Sequence, residues 1–242
     1  MIQGLRSLVF NVWFFGLTAT ALLLSLPILL MPRRASIALG RIWARLVLGG
    51  LRVVCGTKVE LRGRTELLRE PALVAIKHQS AWDTIFFYLA CPDPAYVMKI
   101  ELMRIPVYGW LAAKQGMIRV DRKGGGGALK RMLEEAQAAL AIGRQILIFP
   151  QGTRVPPGVS TDAYAYHPGI AGLYAKLGVA CVPVALNSGL FWGRRSFVKR
   201  PGTIVVEILD VLEPGLTRAR FMRELETRIE TATAKLEAEA RA

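Results

Sequence analysis

The chain is short of the residues on which many enzymes build their chemistry. Two histidines, His78 and His167, three cysteines and five aspartates occur in 242 residues. Cys55, Cys91 and Cys181 are far apart and odd in number, and no CxxC pair exists. Two histidines do not complete a ligand set with them, so no metal site is expected. The three thiols read as buried or half-buried groups in a reducing compartment. No GxSxG elbow is present, which argues against a serine lipase or esterase. No Walker lysine-serine pair follows Gly124–Gly127, so that run reads as a turn into a helix and not as a phosphate cradle. Internal repeats are absent. Acidic residues are scarce as well, 18 against 32 Lys and Arg, for a net charge of +14. A chain so basic looks for anionic partners: nucleic acid, an anionic membrane surface or acidic substrates.

What the chain has in plenty is apolar residues, 52% of the total, with a mean hydropathy of +0.34. Leu8 to Met31 is uncharged throughout. As a helix it reaches roughly 36 Å, enough to cross a bilayer core. Arg33 and Arg34 follow directly where a signal peptide would need small residues for cleavage, so the segment reads as an anchor. These arginines, with Arg41 and Arg45, outnumber Arg6 before the segment, and the positive-inside bias leaves the rest of the chain cytoplasmic. Ala35 to Val54 mixes arginines with Ile37, Leu39, Ile42, Trp43 and Leu46, the pattern of a basic amphipathic helix on lipid headgroups. The two helices either span or form a hairpin within one leaflet; a buried pair in a soluble protein is the alternative. An anionic membrane surface is thus the expected partner, and nucleic acid is not. Residues 1–54 read as membrane-anchoring helices and 55–242 as one α/β domain.

Within that domain, short β-rich runs alternate with helical ones. Strands are predicted at Lys58–Arg62, Ala72–Lys77, Ala95–Lys99, Gly116–Val120, Gln145–Phe149, Ala180–Leu186 and Thr203–Ile208, with helices near Thr84–Leu89, Leu102–Ala113, Ala128–Ala141 and Ile170–Leu177. Runs such as ILIF and VPVAL suit strands covered on both faces. Alternation of this kind predicts a mostly parallel central sheet flanked by helices. A last helix starts near Thr217, with Phe221, Leu225, Ile229, Ala232 and Leu236 as its apolar stripe and charges on its other faces.

His78 ends the strand ALVAIKH, and Asp83 lies five residues on. On one continuous helix five residues turn about 500°, so the pair would not share a face. They meet if His78 ends the strand and Asp83 sits in the first turn of the next helix, with Ser80 as N-cap. Ser80–Asp83 is also a capping-box pattern, in which Asp83 merely holds a backbone amide. Other strand ends carry Asp121-Arg122, then Pro150-Gln151-Gly152-Thr153-Arg154, then Asn187-Ser188-Gly189. In open α/β sheets ligands bind outside the carboxyl ends of the strands. The alternative for each arginine is a solvated charge or an ion pair.

KHQSAWD, GMIRVDR, FPQGTR and CVPVALNSG, in that order, resemble the four blocks of the glycerolipid acyltransferase family, above all its 1-acyl-glycerol-3-phosphate acyltransferases. The similarity runs from about Leu73 to Gly189. It implies an enzyme that moves an acyl chain from acyl-CoA or acyl carrier protein to a lysolipid hydroxyl at the cytoplasmic face of the bacterial inner membrane, without cofactor or metal. It implies His78 and Asp83 as catalytic residues, and Arg122, Gln151, Gly152, Thr153 and Arg154 as binding residues for lysophosphatidate. Lyso-ornithine lipid is the rival acceptor; a lipid esterase and a non-catalytic membrane-binding protein are rivals of another class. Two positions depart from the family pattern. Lys77 replaces the Asn before the histidine, and Gln151 replaces the Glu of the third block. Glutamine cannot ionise; if position 151 serves only to hydrogen-bond, glutamate is tolerated there.

Overall fold

The computed structural model describes residues 1–121 and 125–242. Seven strands fall within two residues of the predicted runs: β1 (Thr57–Gly63), β2 (Leu73–Ile76), β3 (Pro94–Lys99), β4 (Ile118–Val120), β5 (Gln145–Ile148), β6 (Cys181–Leu186) and β7 (Gly202–Ile208). They form one sheet in the order β1-β7-β6-β2-β5-β3-β4. Every neighbouring pair is parallel except β6 and β7. The strand pleat sorts β2 onto two cores. Leu73 and Ala75 pack with α6 (Gly125–Ala141), α7 (Gly169–Leu177) and α8 (Arg218–Glu239). Val74 and Ile76 face α2 (Arg33–Cys55) and α3 (Ala81–Ala90). The α/β domain with a mostly parallel sheet is therefore present as expected.

One predicted helix is broken. Leu102–Ala113 holds the end of α4 (Ile100–Met103), a gap, and most of α5 (Tyr108–Lys114). Pro106 lacks an amide hydrogen and cannot continue a helix. The chain instead tightens so that Tyr108 N donates to Pro106 O at 2.7 Å, with Val107 forced to φ 64°. Hydrophobic periodicity persists across this break, which is why the sequence reads as one helix.

α1 (Ile2–Ile28) and α2 form an antiparallel hairpin. Trp13 Nε1 donates to Leu46 O at 3.1 Å, and Trp43 Nε1 to Thr18 Oγ1 at 3.1 Å. A buried pair is excluded for α1, because 11% of its most apolar window is buried and Leu5, Leu8, Val12, Phe15, Leu23 and Leu24 are exposed. α2 is two-sided: Ala44, Val47, Leu51 and Cys55 enter the domain core, while Arg34, Ile42 and Arg45 stay exposed. Both ends of the hairpin touch the domain. Near the start of α1, Ser7 Oγ accepts from Lys199 N at 2.9 Å. At the hairpin tip, Lys114 Nζ donates to Leu29 O at 2.9 Å, and Arg33 grips both oxygens of Asp93 at 2.8 and 2.6 Å.

Candidate active site

β2 lies mid-sheet between β5 and β6, so its carboxyl end opens among several parallel strand ends. Lys77 is still tied to β6, its N donating to Val184 O at 3.0 Å. His78, Gln79 and Ser80 then turn the chain, and α3 begins. Ser80 caps it by accepting from Trp82 N at 3.1 Å, and Asp83 Oδ2 accepts from Ser80 N at 2.9 Å. The capping box is real. The same oxygen also accepts from Gln79 N at 2.8 Å and lies 2.8 Å from His78 Nδ1. Asp83 Oδ1 accepts from Ser188 Oγ at 2.5 Å. Cap and His-Asp pair are thus one structure, with the carboxylate fully buried. With Nδ1–H donating to Asp83, the neutral imidazole carries its lone pair on Nε2. The ring stacks on Phe149 at 3.9 Å between centroids.

The turn is clamped from below by α8. Lys77, 2% exposed, places its ammonium 2.7 Å from both oxygens of Glu230, which also accepts from Tyr166 at 2.8 Å. Gln79 Nε2 donates to Glu237 Oε1 at 2.7 Å, and its Oε1 accepts from Gly189 N at 3.0 Å. Glu230 and Glu237 are two helical turns apart and share a face. Sequence reading had set the charges of α8 on faces away from its apolar stripe. These two turn inward, where they meet the buried Lys77 and Gln79. The lysine that departs from the family pattern therefore comes with its own counterion.

After β5 the FPQGTR segment makes a tight turn, Gly152 N donating to Phe149 O at 2.8 Å with Gly152 at φ 58°. That left-handed backbone favours glycine. Val155 N then donates to His78 O at 2.8 Å, which ties the two loops together. Gly152, Thr153 and Arg154 line a cavity shared with His78. Gln151 is 4% exposed and is not among the lining residues; its Nε2 donates to Tyr164 O at 3.0 Å. The hydrogen bond expected at 151 exists, but it is one that a glutamate could not donate. Arg122 lies outside the described residues, as does Gly124; Asp121 lines the cavity. Burial lowers the pKa of Arg154 from its ordinary value; the Asp83 carboxylate opposes this, and the Arg194 charge adds to it.

The cavity has a volume of about 1220 Å³. Leu22 of α1 and Leu39 and Trp43 of α2 line it, as do Met98, Leu102 and Leu111. Elsewhere its wall carries Arg154, Arg194 and Arg195, together with Asp121. Sequence reading noted the strand end at Ser188 without its role, and missed Arg194, Gln79 and Glu237 altogether. A carboxylate seven residues after another on an amphipathic helix is not by itself a signal. The three thiols are all buried and unpaired with one another. Among the described residues no cluster of three metal-binding side chains occurs.

Comparison with known proteins agrees with this geometry. The acyltransferase family model matches residues 58–187. A 1-acyl-sn-glycerol-3-phosphate acyltransferase of Pseudomonas aeruginosa is 32% identical over 197 residues, 81% of this chain and 76% of that protein. A lyso-ornithine lipid O-acyltransferase of the same organism is 30% identical over 138 residues, 56% of this chain and 50% of that protein. The crystal structure of the 1-acyl-sn-glycerophosphate (LPA) acyltransferase PlsC from Thermotoga maritima shares the fold, with a TM-score of 0.76 over 98% of both chains at 18% identity. The four ordered blocks, the His-Asp turn and a family match over more than half the chain lead to one conclusion: this protein belongs to the acyltransferase family.

Proposed function

We propose that the protein acylates the sn-2 hydroxyl of lysophosphatidate, using acyl-CoA or acyl carrier protein as donor and giving phosphatidate. One observation carries this reading. A single cavity joins the apolar side of the membrane-facing hairpin, the His78–Asp83 pair and the arginines 154 and 194. An acyl chain suits the first, a reacting hydroxyl the second and an anionic headgroup the third.

The chemistry follows from the pair. His78 Nε2 removes the hydroxyl proton as the substrate oxygen attacks the thioester carbonyl, help worth roughly 10²–10⁴ in rate. Asp83 holds the tautomer and stabilises the imidazolium, as in serine hydrolases. The tetrahedral adduct collapses, the C–S bond breaks, and the thiolate takes the proton from His78. No protein nucleophile is needed. Arg154 pairs with the phosphate through its planar fork, together with Arg122 by family resemblance. Gly152 and Thr153 shape that loop, and Gln151 supports it from behind by holding Tyr164. Neither cofactor nor metal enters.

The hairpin supports a monotopic reading. α1, about 40 Å long at 1.5 Å per residue, touches the catalytic domain at both ends. A helix crossing a core of about 30 Å would leave one end far from the domain. We place the hairpin in one leaflet, with its exposed leucines in the acyl region, Arg34 and Arg45 at anionic headgroups, and the domain on the cytoplasmic face of the inner membrane. Its likeness to the lyso-ornithine lipid O-acyltransferase keeps a phosphate-free acceptor as the second reading. A panel of lysophosphatidate, lyso-ornithine lipid and no acceptor, each with radiolabelled acyl-CoA or acyl carrier protein, decides. Phosphatidate as main product is the expected result. Preference for lyso-ornithine lipid overturns the acceptor, and thioester hydrolysis without acceptor overturns the transferase.

A further inference from the structure

Residues 190–201, between β6 and β7, lie outside all four sequence blocks, yet they border the cationic end of the cavity. Arg194 and Arg195 line that end beside Arg154. Arg194 Nη1 donates to Arg154 O at 3.1 Å, so its guanidinium sits over the turn that carries Arg154. The ion pairs among the described residues include neither arginine. Two neighbouring, partly buried guanidiniums repel each other, and an anion between them removes that cost.

The loop is held firmly from behind. Lys199 is 2% exposed and has no carboxylate partner among the described residues. Its ammonium donates to Asn11 Oδ1 at 3.0 Å, Ser196 O at 2.9 Å and Phe197 O at 3.0 Å, and lies 5.3 Å from the centre of the Trp192 ring. Asn11 Nδ2 returns a bond to Phe197 O at 3.0 Å. Phe10 and Phe14 pack edge-on against Trp192 at 5.3 and 5.4 Å. The segment bearing Arg194 is therefore fastened to α1, and a binding group gains from such rigid support.

A phosphate monoester offers three terminal oxygens, and one guanidinium fork engages two of them. We infer that Arg194 is a further binding residue for the acceptor's phosphate, acting with Arg154, and that α1 holds it in place through Asn11 and Lys199. This rests on the lysophosphatidate reading above. The same helix that meets the lipid surface then also positions a group that receives the headgroup.

The test is kinetics on full-length protein in mixed micelles, with lysophosphatidate and acyl-CoA varied separately. Arg194→Ala is expected to raise KM for lysophosphatidate about ten-fold or more, with KM for acyl-CoA unchanged. Arg194→Gln can still donate to Arg154 O but lacks the charge, so it should show the same defect. Arg194→Lys should recover part of it. Arg200→Ala, an exposed change of equal charge in the same loop, should stay within about two-fold of wild type. If Arg194→Gln restores the wild-type KM, the arginine only holds the loop and the inference is overturned. If Arg154→Ala raises KM while Arg194→Ala does not, the inference fails and the lysophosphatidate reading stands. If wild type does not use lysophosphatidate, both fall.

Discussion

The two polar corners of the cavity are built in opposite ways. At His78–Asp83 the protein supplies the partners itself: the carboxylate accepts two backbone amides and one hydroxyl and faces the imidazole. At Arg154 and Arg194 it supplies two cations that enter no ion pair among the described residues. The first corner keeps its geometry whatever occupies the cavity, as a general base must. The second has charge to spare for a ligand. Chemistry and recognition are thereby separable, and substitutions at the two corners should fail differently.

The largest effect is expected at the first corner. His78→Ala removes the base and should lower kcat by about 10²–10⁴ or more. Asp83 keeps Gln79 N, Ser80 N and Ser188, so the α3 cap and the melting temperature should change little. Asp83→Asn is the sharper variant. Its oxygen can take the three bonds of Oδ2, and its amide can face Ser188, whose hydroxyl turns from donor to acceptor. The fold survives while the charge that stabilises the imidazolium is lost. Initial rates and thermal melts on both variants check this. If Asp83→Asn lowers only the melting temperature, the residue is a cap and nothing more.

At the second corner the loss should appear in KM. Arg154→Ala removes one charge-assisted fork, worth roughly 1.5–3 kcal/mol. A ten-fold or larger fall in kcat/KM for lysophosphatidate is expected, with KM for the acyl donor unaffected. Should kcat fall instead and both KM values stay, the arginine serves the transition state, and the division between corners dissolves.

The two corners also differ in how far they could be read from the sequence. All seven strands were legible because their β-branched runs are bounded by polar breaks, and the strand-end rule then put His78, Asp83 and Arg154 together. Partners that reach the site from distant elements were not legible. Ser188 is 105 residues from Asp83, and Glu237 is 158 from Gln79. Nothing in helical periodicity says that a glutamate beside an apolar stripe will meet a buried glutamine. Arg194 belongs to an irregular loop whose course is set by Lys199 and α1, so spacing carries no trace of its position. The break at Pro106 was visible as a proline but outweighed by periodicity.

Gln151 gives a smaller effect and a correction to the sequence argument. Glutamate, the family residue, would be tolerated at a position that only hydrogen-bonds. Here the amide donates to Tyr164 O from a site 4% exposed, and a carboxylate would meet that carbonyl without a proton. Gln151→Glu should cost about 1–3 kcal/mol of stability. The expected signature is a lower denaturation midpoint in urea, with KM for lysophosphatidate changed little because the side chain does not line the cavity. A gain in activity with unchanged stability would mean that residue 151 turns toward substrate.

The smallest effect is expected from the thiols, and it bears on the division most directly. If His78 delivers the substrate oxygen straight to the thioester, no second nucleophile belongs in the site. Burial pushes the Cys91 thiol up to about 12, and burial raises Cys181 as well. Cys55 is raised by burial too, with Lys199 and Arg6 pulling the other way. A thiol so raised holds very little thiolate near neutral pH, and thiolate is the reactive form. None of the three lines the cavity. Iodoacetamide at pH 7.5 should therefore leave the native enzyme unlabelled and fully active, while denatured protein takes up label at all three positions. Rapid quenching with radiolabelled acyl-CoA and no acceptor should trap no acyl-protein. A stable acyl adduct on any cysteine would give the protein a nucleophile of its own and end the direct-transfer mechanism, whatever the two corners do.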